Sequence, residues 1–389
     1  METMNDISFY EKMQREFKDP EIGYRGVTLW MLNDKLEKQE TIRQLESFYH
    51  AGWGAIITRT FMGLRTRYLS EEWMSITEEV IKKAKELGMK VWLQEADKNA
   101  AGYMPTGIPG MEEEFRNLII IRKHKNAQID SSERVLSIYG DYVFCEKKVI
   151  PPGDWKNLLC VLDLLNPETV TTYLEKAYKP LLRFKDEFGH TVEAIWVDEP
   201  LIKVAQGITP ALPWTKDFPT LFKERWGYSI LEHIRSLFSE EGEFIKIRHH
   251  YWRLLTDIFK ESYFHQVYDW CEKNNVRFSG HLMGEDTFFR QITSSGSCMS
   301  YYEFMGIPGI DFLTADLTWP GGDPFLLPPK QCSAVAHQLS KKEILCEMYG
   351  VSSQGITFET RKQIADWLMV LGISYRCYHG SFYSMRGRR

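Results

Sequence analysis

The run EAIWVDEP, residues 193–200, carries the apolar stretch Ala194 to Val197 straight into two adjacent carboxylic acids, Asp198 and Glu199. Neighbouring carboxylates repel each other, and burying either is expensive. Such a strand ends either in solvent or in a site that uses the acids. Similar endings recur along the chain. Glu95 and Asp97 follow VWLQ; His281, Glu285 and Asp286 follow RFSG; Asp316 closes GIDFLTAD. Glu347 and Tyr349 lie in LCEMY, and His379 and Tyr383 in CYHGSFY. Trp30 and Asn33 close TLWMLN, and Arg59 closes AIITR.

Separated carboxylates interleaved with aromatic rings are the equipment of glycoside hydrolysis. One acid protonates the departing oxygen; the other attacks the anomeric carbon or activates a water. Glu199 is the candidate general acid and Glu347 the candidate base or nucleophile. Asp198, His281, Glu285 and Tyr349 are expected to position substrate or tune that pair. Trp30, Arg59 and Tyr383 are expected to line a sugar site, with Asn33, Asp97 and His379 completing the substrate-binding set. The same residues admit other readings. Asp198, Glu285, Asp286 and Glu303 could bind a hard cation through oxygen, although no Asp-x-Asp-x-Asp-Gly loop is present. His281 suggests a metal hydrolase, but no second histidine stands in His-x-His spacing at a strand end. WPGGDP, 319–324, does not lead into a phosphate-binding helix, and no Gly-x-Ser-x-Gly occurs. The pair His249–His250 lies inside a long helical stretch and reads as surface.

The elements that position these residues alternate. Strand-like runs occupy 24–32, 54–61, 89–97, 192–200, 276–286, 309–316, 343–351 and 373–383. Most are apolar without strict alternation, as parallel strands buried on both faces should be. Helical segments are expected over 38–52, 70–88, 167–188, 218–238, 244–274, 327–341 and 357–371. The second opens with Ser70 and acids and closes with lysines and Gly88, which suits both ends of the helix dipole. Eight strand-like runs alternating with helical segments predict an α/β fold, a (β/α)8 TIM-type barrel with its acids at the C-terminal rim. A β-rich insertion, 98–165, follows the third strand, and the eighth helix is missing. Residues 1–23 form an N-terminal helical segment whose Ile7, Tyr10, Met13 and Phe17 could fill that gap. The chain being a fragment, or a partner subunit covering the gap, are the alternatives.

Composition narrows the function classes. The 389 residues carry a net charge of −5, without the basic patch that nucleic-acid binding needs. No stretch approaches the about 20 apolar residues of a membrane-spanning helix. Acids in METMNDISFYEKMQREF and seven cysteines without a Cys-x-x-Cys pair point to reduced thiols and a cytoplasmic protein. Aromatic residues make up 14% of the chain, which serves a rich core or sugar-stacking platforms.

The ordered set YRGVTLWMLND, AGWGAIITR, GLRTRYLSEEW, AKELGMKVWLQEAD, WVDEP, FKERWGYSILEHI, GHLMGED, CEMYG and HGSFYSMRG resembles the barrels of glycoside hydrolase family 106, which contains α-L-rhamnosidases. The resemblance runs over residues 22–389. It implies a catalytic barrel acting on a plant or microbial glycan, with the strand-4 acid at Glu199 and the strand-7 acid at Glu347. It further implies calcium near the site, inversion at the anomeric centre, and β-rich domains beyond the barrel. One departure stands out. Relatives carry Asp-Glu-Asp and then Trp-Pro-Ser-Gly after the third strand, whereas this chain has QEADKNAAG, with Ala96 and Asn99 in place of an acid and the tryptophan. That departure falls on the substrate subsite near the third strand and leaves room for a sugar other than rhamnose. A non-catalytic glycan-binding barrel or truncated relic of a larger glycosidase is the alternative from another class. A barrel enzyme of other chemistry, such as a metal-dependent isomerase, is the third.

Overall fold

The structure, a computed structural model, describes residues 3–96, 115–149, 162–202, 211–317, 325–353 and 355–386, with the backbone alone for 3–7. Strands run in chain order as β1 (Val27–Leu32), β2 (Ala55–Thr60), β3 (Lys90–Gln94), β4 (Leu118–His124), β5 (Glu133–Tyr139), β6 (Tyr142–Lys148), β7 (Val192–Val197), β8 (Ala211–Trp214), β9 (Arg277–Gly280), β10 (Gly309–Phe312), β11 (Leu345–Met348) and β12 (Tyr375–Phe382). Eight of them form a sheet in the order β10-β11-β12-β1-β2-β3-β7-β9. All its pairings are parallel.

The sheet curls until β9 meets β10. A single Ser279–Ile307 bridge spans that seam, where Ser279 Oγ donates to the Ile307 carbonyl at 2.8 Å. The chain is a (β/α)8 TIM-type barrel, closed on seven sides by full ladders and at the eighth by this bridge.

Alternation along the strands sorts the apolar residues into two layers. Val27, Leu29, Met31, Ala55, Ile57, Trp92, Ala194, Trp196, Leu345 and Cys377 fill the barrel interior. Trp30, Leu32, Ile56, Val91, Leu93, Ile195 and Val197 face outward, against the helices. The helix Glu71–Leu87 starts where Ser70 accepts a bond from Trp73 N, and stops at Gly88, whose φ of 73° suits glycine. Phe358–Val370 is capped in the same way by Thr357, which accepts from Thr360 N. Among the described residues, no helix is long and apolar enough to cross a membrane.

Several expectations change in detail. The helix expected over 167–188 is a short α-helix, Pro167–Tyr173, then a π-turn, Leu174–Tyr178, then 3-10 structure, Lys179–Glu187. Pro180 lacks the N–H that an α-helix would need there. The stretch 244–274 likewise carries a π-turn, Lys260–His265, at its centre. The insertion sheet has the order β5-β6-β4-β8, so it takes its last strand from the segment after β7 rather than from 98–165 alone. The N-terminal segment is helical over Thr3–Lys18, but Phe9, Tyr10, Met13 and Phe17 stand exposed instead of filling a gap in the helix layer. Of the two adjacent histidines, His249 is exposed, whereas His250 stacks on Trp226 at 3.7 Å.

Candidate active site

The interior parity that packs the barrel also delivers its polar end. On β7 the inward series Ala194, Trp196 continues to Asp198; on β2 Ala55, Ile57 continues to Arg59. Asp311 and Glu347 are register partners on β10 and β11, and Glu347 is in turn paired with Cys377 on β12. His281 follows β9, with its ring centroid 5.6 Å from that of Trp196. In an extended strand Asp198 and Glu199 would point to opposite faces. Glu199 has a φ of 48°, a left-handed turn rare outside glycine, and both acids reach the same cluster.

The cluster is built around His281. Its Nε2 lies 3.4 Å from Asp198 Oδ1 and 3.8 Å from Asp311 Oδ2, and its Nδ1 lies 3.7 Å from Glu347 Oε2. His379 Nε2 approaches Glu347 Oε1 at 4.0 Å. Arg59 forms a short ion pair with Asp198, with side chains 12% and 6% exposed. The guanidinium also lies over the Trp196 ring, 5.5 Å from its centroid.

These surroundings drive the acids apart in proton affinity. Burial pushes Asp198 up, but Arg59 and then His281 outweigh it, and Asp198 stays ionised below the usual carboxylate range. Glu199 goes the other way. Burial first, and the Asp198 charge next, raise it to about 7. Burial and the Glu347 charge push Asp311 well above its ordinary value. Burial alone would discharge His281, yet its bond to Asp198 and the charges of Asp311 and Glu347 raise it well above the ordinary imidazole range. The site thus holds two cations, one fixed carboxylate and at least one acid that keeps its proton near neutrality.

The expected site residues divide into two groups. Glu199, Glu347, Asp198, Arg59, His281 and His379 come together. Trp30 does not join them. It faces the helices, where its Nε1 donates to Gln44 Oε1 at 3.0 Å and its ring meets Phe48 edge-on. Asn33 spends its amide on the Ser384 backbone, donating to the carbonyl and accepting from the N–H, each at 2.8 Å. Tyr383 OH accepts from Glu37 N, and Tyr349 OH donates to the Arg361 carbonyl. Glu285 is buried away from solvent. It accepts from Leu282 N at 3.2 Å, Asp311 N at 2.9 Å and Tyr302 OH at 3.0 Å, and burial raises it to about 7. It therefore stitches the seam between β9 and β10. Asp97 lies outside the described residues.

Asp311 is the acid that reading strand ends passes over. Attention falls on Asp316 at the end of GIDFLTAD, which is exposed. β10 ends at Phe312, short of Asp316, so Asp311 stands at the C-terminal end of the strand on the inward face, opposite Glu347. Glu95, also expected at this rim, instead faces outward, where it accepts from the hydroxyls of Tyr178 and Tyr263. Burial raises it to about 8 despite those bonds.

Calcium, which the family resemblance implies, asks for six to eight oxygen ligands. Among the described residues, two groups have metal-ligating geometry, Asp198–His281–Glu347 and Glu199–His281–Asp311, each with donor atoms within 4.8 Å of one another. Each offers one imidazole nitrogen and only two carboxylates, and Asp198 already holds Arg59. That donor set does not fit calcium.

No protein-family model matches the chain. Over 224 residues, 56% of this chain, it is 24% identical to 17% of a Formosa agariphila protein named "Putative beta-glucuronidase". It superposes on the rhamnosidase from Novosphingobium sp. PP1Y with a TM-score of 0.66 at 12% identity, over 95% of this chain and 56% of that one. The chain thus spans about half the length of the solved rhamnosidase and under a fifth of the curated relative. At this identity the superposition establishes the barrel fold.

Proposed function

We propose that the barrel is a glycoside hydrolase domain in which Glu199 is the general acid and Glu347 the base or nucleophile. One observation carries this reading. At the end of β7, burial and the neighbouring Asp198 hold the Glu199 carboxyl at about 7, beside a second acid cluster on β10 and β11. Glu199 is less buried than its neighbours, as an acid that must meet a leaving group should be. Protonated Glu199 gives its proton to the glycosidic oxygen as the bond to the anomeric carbon breaks. Glu347 then delivers an electron pair, directly or through a water whose proton it takes. Asp198, fixed as an anion by Arg59, keeps Glu199 protonated and stabilises positive charge developing on the sugar ring. The names of the two similar proteins, a rhamnosidase and a glucuronidase, support a carbohydrate substrate. The resemblance to family 106 supports an α-L-rhamnosidase-like enzyme within that class. The test is hydrolysis of a panel of phenyl glycosides, whose leaving oxygen needs protonation, by the wild-type chain and by Glu199→Gln and Glu347→Gln. Both variants should fold and lose turnover. Wild-type turnover in either removes that residue from its role, and full glycan binding without any hydrolysis supports a binding barrel instead.

A further inference from the structure

Gln94 ends β3 on the interior face, in register with Trp196, and only 1% of it is exposed. Among the described residues, neither its Oε1 nor its Nε2 has a hydrogen-bond partner, although its backbone carbonyl accepts from Tyr68 OH at 3.0 Å. Parity fixes its direction. Trp92, two residues back, belongs to the barrel interior, and Leu93 between them packs outward. Among the described residues, two further interior groups on the strands flanking β3 are unpartnered, Nε1 of Trp196, the register partner of Gln94, and Nε of Arg59. A buried amide with both ends unmet destabilises the fold, and a leucine of similar shape would avoid that penalty. Packing therefore gives no reason for a glutamine here. A group that arrives from the barrel mouth does, and it must offer a donor and an acceptor together.

We propose that Gln94 binds a pair of adjacent ring hydroxyls of a neutral sugar and thereby sets which sugar the site accepts. This deepens the glycosidase reading and rests on it for the position of the scissile bond. Charge supports a neutral ring. Asp198, Glu199, Asp311 and Glu347 crowd the mouth, while Arg59 and His281 are already engaged with Asp198. Among the described residues of the cluster, a sugar carboxylate would have to compete with Asp198 for both of its cations. Sites built to hydrogen-bond a hydroxyl discriminate strongly against analogues that lack it, because their own polar groups are then left unpaired.

The experiment is calorimetric titration of the full chain with D-glucose, D-galactose, D-mannose, L-rhamnose, D-glucuronate and single-deoxy analogues, for wild type and Gln94→Leu, alongside thermal melts. Wild type should bind a neutral sugar better than glucuronate. Gln94→Leu should weaken that binding by at least about tenfold, and the deoxy analogue most penalised in wild type should lose its penalty in the variant. The Tm of Gln94→Leu should stay level or rise. Unchanged affinity in Gln94→Leu, a fall in its Tm without loss of affinity, or wild type that binds none of the neutral sugars overturns the proposal. Glu199→Gln should still bind the sugar. If sugar binding depends on Gln94 while Glu199→Gln turns over normally, the catalytic assignment fails and the Gln94 assignment stands.

Discussion

His281 Nε2 stands 3.4 Å from Asp198 Oδ1, so a side chain from the end of β9 is tied to the acid that ends β7. The same ring presents Nδ1 to Glu347 Oε2 at 3.7 Å. One imidazole thus joins the two sides of the candidate pair. Its raised proton affinity means that the folded state holds a proton the unfolded chain releases. That contribution is fully present below the ordinary imidazole value of about 6.5 and is lost as pH rises through the raised value. Urea denaturation of wild type and His281→Gln across pH 6–10 checks it. The stability difference between the two should shrink as pH rises, and turnover of the variant should be low throughout.

The Arg59–Asp198 pair is nearly buried. Removing one partner of a buried pair leaves an uncompensated charge, at a cost of about 3–5 kcal/mol. Arg59→Met should destabilise the barrel by that order, read from denaturant midpoints. Asp198→Asn should lower the proton affinity of Glu199, because the Asp198 charge is the second-largest cause of its shift. The alkaline limb of the activity profile should move to lower pH in Asp198→Asn.

For Glu199, a value raised to about 7 means that the folded state binds the proton more tightly than the unfolded chain. The stability this provides is full below the ordinary carboxyl value and is lost as pH rises through about 7. Glu199→Gln should therefore be more stable than wild type at pH 8, by on the order of 1–3 kcal/mol, and should show little advantage near pH 4. Melting curves at the two pH values decide this. Wild-type turnover should fall with an alkaline limb near the same value.

Glu285 takes the backbone N–H of Asp311 at the one side of the barrel that lacks a full ladder. Glu285→Ala would orphan that donor and the Tyr302 hydroxyl, at about 1–3 kcal/mol for each buried group left unmet. Hydrogen exchange should quicken at Asp311 and Ile307 while amides of the helix Glu71–Leu87 stay protected. Uniform change across both regions would place the effect elsewhere.

The barrel was legible because parallel strands buried on both faces are continuous apolar runs, and because caps such as Ser70 and Thr357 are local chemistry. The members of the site were most legible where a strand end and the inward face coincide, as at Arg59, Asp198 and Glu347. Trp30 sits one residue off that parity and packs outward. Asp311 has the parity and the same place in its strand as Glu347, but β10 stops at Phe312, short of the end expected at Asp316, so a strand read too long passes over it. Glu285 and Tyr349 are drawn into bonds with groups distant in sequence, which spacing along the chain does not encode. The strand Ala211–Trp214 is short and contains Pro213, and only its pairing with β4 makes it a strand.

The central claim is that Glu199 donates the proton, and leaving-group dependence tests it most directly. On whichever aryl glycoside series the wild type cleaves, kcat/KM of Glu199→Gln should fall by about 10²–10⁴ for a phenyl glycoside, whose leaving oxygen needs protonation. It should change far less for the 2,4-dinitrophenyl glycoside, whose leaving group departs as an anion. Equal losses on both substrates, or no loss on either, would contradict the assignment.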